Sequence, residues 1–438
     1  MTVLLKGSIF LIGIAIIGVL EPRTIIPACG SNLPANLQIY QFPLWPHIEA
    51  YTDYRDLYLP CLISPFLSGH GAYTLGTIVY NYPPLFLYLI SGFAAIANVV
   101  WLPAFPLVLF DILTAIPLYL IAKEFVFRGN SKLAFVVAMF WAANPINLFY
   151  NDLMWLNTAP TTFFLVLALY LFLKQRWVYS SLALAISTGF KQISVIIFPI
   201  LLIFLWKATG FSRKLIIYAV AYVASLLVIS APYVFTETQN YFWSLNFPIF
   251  GIPKNAPNTQ PVFSASLSQP VRITTFFGYL SSSMANFVTK SYQYLDYVLA
   301  FAFGILLTYL VIESVSWPSA RRDKASVIPS QADSKRSGSV ISRIRTFLLN
   351  SKVKRSFQPN EILVFCLTAL LIFLALFGRG VYKYYFASIT PLGLPLFRYK
   401  FGAAIFEVFS IVLLLVPREA SPWMAILLVT FLPRMLEP

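Results

Sequence analysis

Two aspartates three residues apart, Asp53 and Asp56, enclose Arg55 in the stretch YTDYRDLY (Tyr51–Tyr58), in a chain where only 11% of residues are charged. On a helix, positions i and i+3 share a face. The pair then either caps a helix start, with Arg55 as a surface partner, or forms two interacting acids. In a partly desolvated pocket such acids raise each other's pKa, and a carboxylate titrating near neutrality can take a proton from a hydroxyl. Asp111, Asp152, Lys191, Arg379, Lys383 and Glu407 are equally hard to explain as solvated loop residues. Charges within or beside hydrocarbon are costly and by default functional. The cations among them also suit anchoring at the membrane interface. Asp111 and Glu407 also suit pairing with a buried amide or hydroxyl. His47 and His70 share the aspartates' segment, but their irregular spacing is a weak signal for a metal site.

The elements that must position these groups are membrane helices. The 438 residues are 59% hydrophobic with a mean hydropathy of +0.76, and apolar runs of about 18 residues or more recur. Long unalternating runs such as ILVFCLTALLIFLALF (Ile362–Phe377) select helices over barrel strands, because in hydrocarbon every backbone group must bond internally. The expectation is an all-α polytopic membrane protein with about 11 to 13 transmembrane helices. The spans fall near 5–20, 84–100, 106–122, 133–149, 160–173, 178–190 and 192–206. Others follow near 215–234, 294–312, 362–377, 384–397, 401–416 and 422–436. Met1–Leu20 looks like a secretory signal, but Glu21, Pro22 and Arg23 follow with no small-residue cleavage site, so it reads as a retained first span.

The net charge of +15 does not point to nucleic acid, because Lys and Arg cluster in short inter-helical segments rather than along one groove. They mark cytoplasmic loops at Lys123–Lys132, Lys174–Arg176 and Lys207–Lys214, with Lys6, Arg398 and Lys400 on the same side. Two full spans between Tyr82 and Lys123 would violate that pattern, so Pro83–Val100 is expected to be tilted or re-entrant. The domain reading is a membrane module over 1–313 with outer loops 21–82 and 235–293, a basic flexible cytoplasmic loop 314–360, and C-terminal helices 361–438. Cys29 and Cys61 share the first outer loop, where either a disulfide or packed thiols fit; Cys366 lies far from both.

Downstream of YTDYRDLY stand SGHGAY (Ser68–Tyr73), a glycine-bearing turn, and VYNYPPL (Val79–Leu85), whose paired prolines punctuate a helix start. Together these resemble the GT-C superfamily of glycosyltransferases that use a polyprenyl-phosphate sugar, and within it the GPI mannosyltransferase I type subgroup. The matching positions are Asp53, Gly69, Tyr73, Tyr80, Tyr82 and Pro84. LFDILTA with Asp111, FWAANPINLFYND, STGFKQISVIIFPILLI with Lys191, and RGVYKYYFASITPL resemble further motifs of that subgroup more loosely. The chain departs in having Asp-x-x-Asp where many members have Asp-x-Asp. It also reads NDLMWLN where the family carries a glycine motif with a second acid.

The resemblance implies a membrane glycosyltransferase moving a sugar, mannose by analogy, from a polyprenyl (dolichyl) phosphate to a glycolipid or glycan acceptor. Transfer would invert the anomeric centre on the external or lumenal face of the plasma or endoplasmic reticulum membrane. In that reading Asp53 is the base, Asp56 orients the acceptor or tunes Asp53, and Lys191, Arg379 and Lys383 contact the donor phosphate. Tyr82 and Arg55 complete the substrate contacts, and no cofactor or metal is expected. The rival readings are a secondary transporter or lipid flippase, and a noncatalytic membrane scaffold.

Overall fold

The computed structural model describes residues 2–20, 54, 58–59, 62–69, 71, 73, 80, 82–97, 99–245, 301–309, 359–376, 383–396, 402–415 and 428. They form an all-α multi-pass membrane protein, with no strand among the described residues. Four described helices are long and apolar enough to cross a bilayer: Leu102–Val126, Ser131–Leu153, Gln192–Thr209 and Arg213–Thr236. At about 1.5 Å per residue they reach roughly 27 to 37 Å, against a hydrocarbon core of about 30 Å. Seven shorter apolar helices lie among the described residues. One of them, Pro84–Ile96, has 13 residues and so extends only about 20 Å.

Thr158–Leu173 sits at the centre, packed between Phe105–Ile121 and Trp177–Phe190, and the latter packs in turn on Arg213–Thr236. Small and hydroxyl-bearing residues let these helices approach closely. Ser180 donates to the Ala168 carbonyl at 2.8 Å, Ser181 to the Tyr218 carbonyl at 2.6 Å, and Ser187 to the Thr161 carbonyl at 2.7 Å. In hydrocarbon, where burial of apolar surface gives little advantage, each such bond contributes about 0.6 kcal/mol or more. Arg213–Thr236 buries only Tyr218, Tyr222 and Tyr233, so it lies at the periphery with most of its surface toward lipid. Phe386–Leu396 is the opposite case. Every residue in it is buried, which makes it a core element rather than a lipid-facing span.

The breaks between helices follow from identifiable residues. Asn130 caps Ser131–Ala143 by accepting from the Lys132 and Leu133 amides. Asn144–Pro145 interrupts the same helix, since proline lacks a donor there, and the chain continues into a π-helical turn, Leu148–Leu153. The first helix, Thr2–Leu20, does not carry Lys6 to an aqueous face. Lys6 is fully buried in the bundle rather than placed in a basic loop.

Candidate functional site

Lys191 lies where Trp177–Phe190 ends. Its backbone is extended and its amide still reaches the Ser187 carbonyl at 3.1 Å, after which a 3₁₀ turn, Gln192–Ile196, leads into Ile197–Thr209. That break turns the side chain inward, where it is 2% exposed. Its ammonium donates to Asn157 Oδ1 at 2.9 Å and lies over the rings of Tyr385 at 4.0 Å, Tyr384 at 4.4 Å and Tyr82 at 5.6 Å. Tyr384 and Tyr385 stack with centroids 4.9 Å apart, in the 3₁₀ turn Lys383–Tyr385. Desolvated cation–π contacts of this kind contribute about 2 kcal/mol or more. Lys191, Tyr82 and the turn that begins at Lys383 thus converge from three distant parts of the chain.

Tyr82 is held there by the two tyrosine-bearing motifs. Tyr73 donates to the Tyr82 carbonyl at 2.7 Å, and Tyr80 to the Pro83 carbonyl at 2.8 Å. Tyr73 also meets Tyr80, Tyr233 and Tyr241 edge-on or tilted at 4.7 to 5.3 Å. The glycines of SGHGAY have separate reasons. Gly69 has φ +80°, a left-handed conformation that disfavours a side chain, whereas Gly71 makes room for Glu237. A Cβ at Gly71 would lie 2.1 Å from Glu237 Oε1. Burial raises the Glu237 pKa, and the bond it accepts from the Tyr73 amide partly offsets that rise.

A second buried lysine organises the neighbouring charges. Lys6 donates to Asp152 Oδ2 at 2.8 Å and pairs with Asp111, all three side chains being fully buried. Asp111 also accepts from Asn151 Nδ2 at 2.7 Å, and Asn151 in turn accepts from Thr158. Asp111 therefore has the amide partner expected of it, with a lysine besides. Trp155 donates to the Asp152 carbonyl at 2.9 Å from a left-handed backbone, φ +54°, a conformation costly for a bulky residue. The six-residue stretch Asp152–Asn157 joins this triad to the Lys191 partner Asn157.

Asp53, Arg55, Asp56 and Arg379 lie outside the described residues, as do His47, His70, Cys29 and Cys61. Lys383 is described only through its backbone. Tyr54 and Tyr58 of YTDYRDLY are fully buried. Tyr54 donates to the Val100 carbonyl at 2.6 Å and packs edge-on against Trp155, while Tyr58 packs against Phe86. Glu407 pairs with Asn144, as an acid seeking a buried amide should. Cys366 is a buried free thiol. No group of three metal-ligating side chains occurs among the described residues. The contributions of Asn157, Tyr384 and Tyr385 went unforeseen; the only sequence signal was the aromatic density of YKYYF beside a charge.

Residues 65–260 match the family described as GPI transamidase subunit PIG-U. That segment contains Tyr82, Asn157 and Lys191, both acids of the triad, and the Gly71–Glu237 contact. No curated protein matches. Among solved structures, the chain is similar to the crystal structure of the Archaeoglobus fulgidus oligosaccharyltransferase in the apo form, at 15% identity and a TM-score of 0.37. The alignment covers 96% of this chain and 56% of that one, so the chain spans little more than half the length of that protein.

Proposed function

We propose that this chain is a GT-C-type membrane protein that binds a phosphate-bearing lipid-linked glycan beside Lys191 and serves as a subunit of a GPI transamidase in the endoplasmic reticulum membrane. The observation that carries the reading is the family match over 65–260, which spans Lys191 and two of the four residues gathered at its ammonium, Tyr82 and Asn157. The intramembrane acids favour binding over catalysis, because Asp111 and Asp152 are engaged with Lys6. A cation set among an amide oxygen and tyrosine faces suits a phosphate with apolar chain and sugar on either side.

The convergence of Lys191, Tyr82 and the turn at Lys383 favours a second reading, a glycosyltransferase using a polyprenyl-phosphate sugar. In that reaction Asp53 removes the acceptor hydroxyl proton, with Asp56 orienting the acceptor, and the oxygen attacks the anomeric carbon. The bond to phosphate breaks with inversion, and the leaving phosphate meets Lys191, with Arg379, Lys383, Tyr82 and Arg55 as further contacts.

Cells lacking the chain, complemented with Lys191→Met or Asp53→Asn, separate the readings. Under the subunit reading Lys191→Met lowers display of a GPI-anchored reporter at least about tenfold, a loss of roughly 1.4 kcal/mol in binding, while Asp53→Asn does not. Wild-type display with Lys191→Met overturns the site. Purified chain that transfers sugar from a polyprenyl-phosphate donor, and loses that activity with Asp53→Asn, replaces the first reading by the second.

A further inference from the structure

The last described helix, Gly402–Leu415, carries an acid whose place in the bundle is half accounted for. Its inner side is fixed by Phe406, Ser410 and Leu413, all buried. Phe406 lies so close to Gly393 that a Cβ there would come within 2.3 Å of its ring. Val408, Ile411, Val412 and Leu415, at the i, i+3, i+4 and i+7 positions of one stripe, face outward and are 37–59% exposed. Glu407 stands at the border of the two sides and is half-buried.

One of its oxygens, Oε1, accepts from Asn144 Nδ2 at 3.2 Å, and that amide also donates to Ser410 Oγ at 2.9 Å. Asn144 is pinned for the purpose, since its Oδ1 caps the Asn147 amide at 3.3 Å just after the Asn-Pro break. The other oxygen, Oε2, has no hydrogen-bond donor among the described residues and is not sealed from outside. Glu407 is the sixth residue of its helix, about 8 Å along the axis from the first. A half-buried carboxylate with one oxygen unbonded, bordering an outward apolar stripe, is matched by a cation that arrives with another membrane segment.

We propose that Glu407 and the Val408–Leu415 stripe form the docking surface for a transmembrane helix of a partner protein, and that this helix carries a lysine or arginine that pairs with Glu407 Oε2. The chemistry selects the occupant. A lipid tail satisfies the stripe but leaves the carboxylate uncompensated, and a second copy docked through the same face would bring acid against acid. The inference rests on the reading of the chain as a subunit and names the surface through which it is held.

The test uses the full chain in its own membranes, extracted in a mild detergent and sized by native electrophoresis. Glu407→Gln keeps an acceptor for Asn144 and removes only the charge, so the chain stays folded while the complex falls at least tenfold. A photo-crosslinking side chain in place of Ile411 marks the neighbour, whose cross-linked helix carries a basic residue level with Glu407. Glu407→Lys abolishes the complex, and an acid at that basic position of the partner restores it. A wild-type complex that survives both Glu407→Gln and Glu407→Leu overturns the docking surface alone, as does cross-linking only to lipid or to a second copy. Wild-type chain migrating by itself overturns the subunit reading together with it.

Discussion

Two lysines are buried among the described residues, and their surroundings differ in kind. Lys6 is set against two carboxylates, Asp111 and Asp152, whereas Lys191 is set against the Asn157 amide and the faces of Tyr82, Tyr384 and Tyr385. The first arrangement is internal and charge-compensated, tying the first helix to two others. Nothing about it requires a ligand. The second is assembled from three distant segments around a break in helix geometry, as expected where irregular backbone is tolerated at membrane depth because it lines a site. Burial of a charge therefore does not by itself mark function in a membrane protein; the nature of the partners does.

Removing Lys6 should have the largest effect on the fold. Lys6→Met leaves two carboxylates buried without their cation, and Asp152 Oδ1 already has no donor among the described residues. Breaking a buried ion pair in this way costs about 3–5 kcal/mol. The expected outcome is a sharp loss of thermal stability in detergent, with most of it recovered when Asp111→Asn and Asp152→Asn are added. If the triple variant is no more stable than Lys6→Met, the triad is not a charge-compensated lock.

Lys191→Met is expected to behave in the opposite way. Methionine keeps the length and apolar contact against the tyrosines, so the stability cost is about 2 kcal/mol, while binding of the lipid-linked glycan collapses. Thermal melting of the two methionine variants side by side decides the comparison. It fails if Lys191→Met unfolds as readily as Lys6→Met.

The sequence carried the helices well and their pairings poorly. Span positions follow from length and hydropathy, which are local properties, and the Asn-Pro and Pro-Pro breaks were visible as residues. The pairing of Lys6 was not legible because charge counting runs along the chain, whereas its partners are 105 and 146 residues away. Lys191 and Tyr82 stood out as a charge and a proline-flanked aromatic at helix ends. Tyr384 and Tyr385 did not, since aromatics in an apolar run look the same whether they fill a core or face a cation. Asn157, one residue before a helix, carried no signal beyond its place in NDLMWLN. Asp53 and Asp56 lie outside the described residues, so their part in any chemistry stays a proposal.

Glu237 offers a third way of holding an acid, half-buried and bonded to the Tyr73 backbone amide. Gly71→Ala should cost about 1 kcal/mol or somewhat more, because the new methyl group displaces the Glu237 carboxylate from the turn. Gly69→Ala, strained only by its positive φ, should cost about as much through the backbone but leave the Glu237 titration unchanged.

That titration is the smallest of these effects and the most diagnostic. Burial raises the Glu237 pKa above the ordinary carboxyl range despite the Tyr73 amide, so the folded chain binds this proton more tightly than the unfolded chain does. Its contribution to stability is then fully present below the ordinary carboxyl pKa. It declines as pH rises from that value through the raised one, and is flat above it. Thermal stability measured across mildly acidic pH should show this shallow downward slope in wild type and lose it in Glu237→Gln, which cannot titrate. An upward slope removed by the same substitution would mean that the Tyr73 amide outweighs burial.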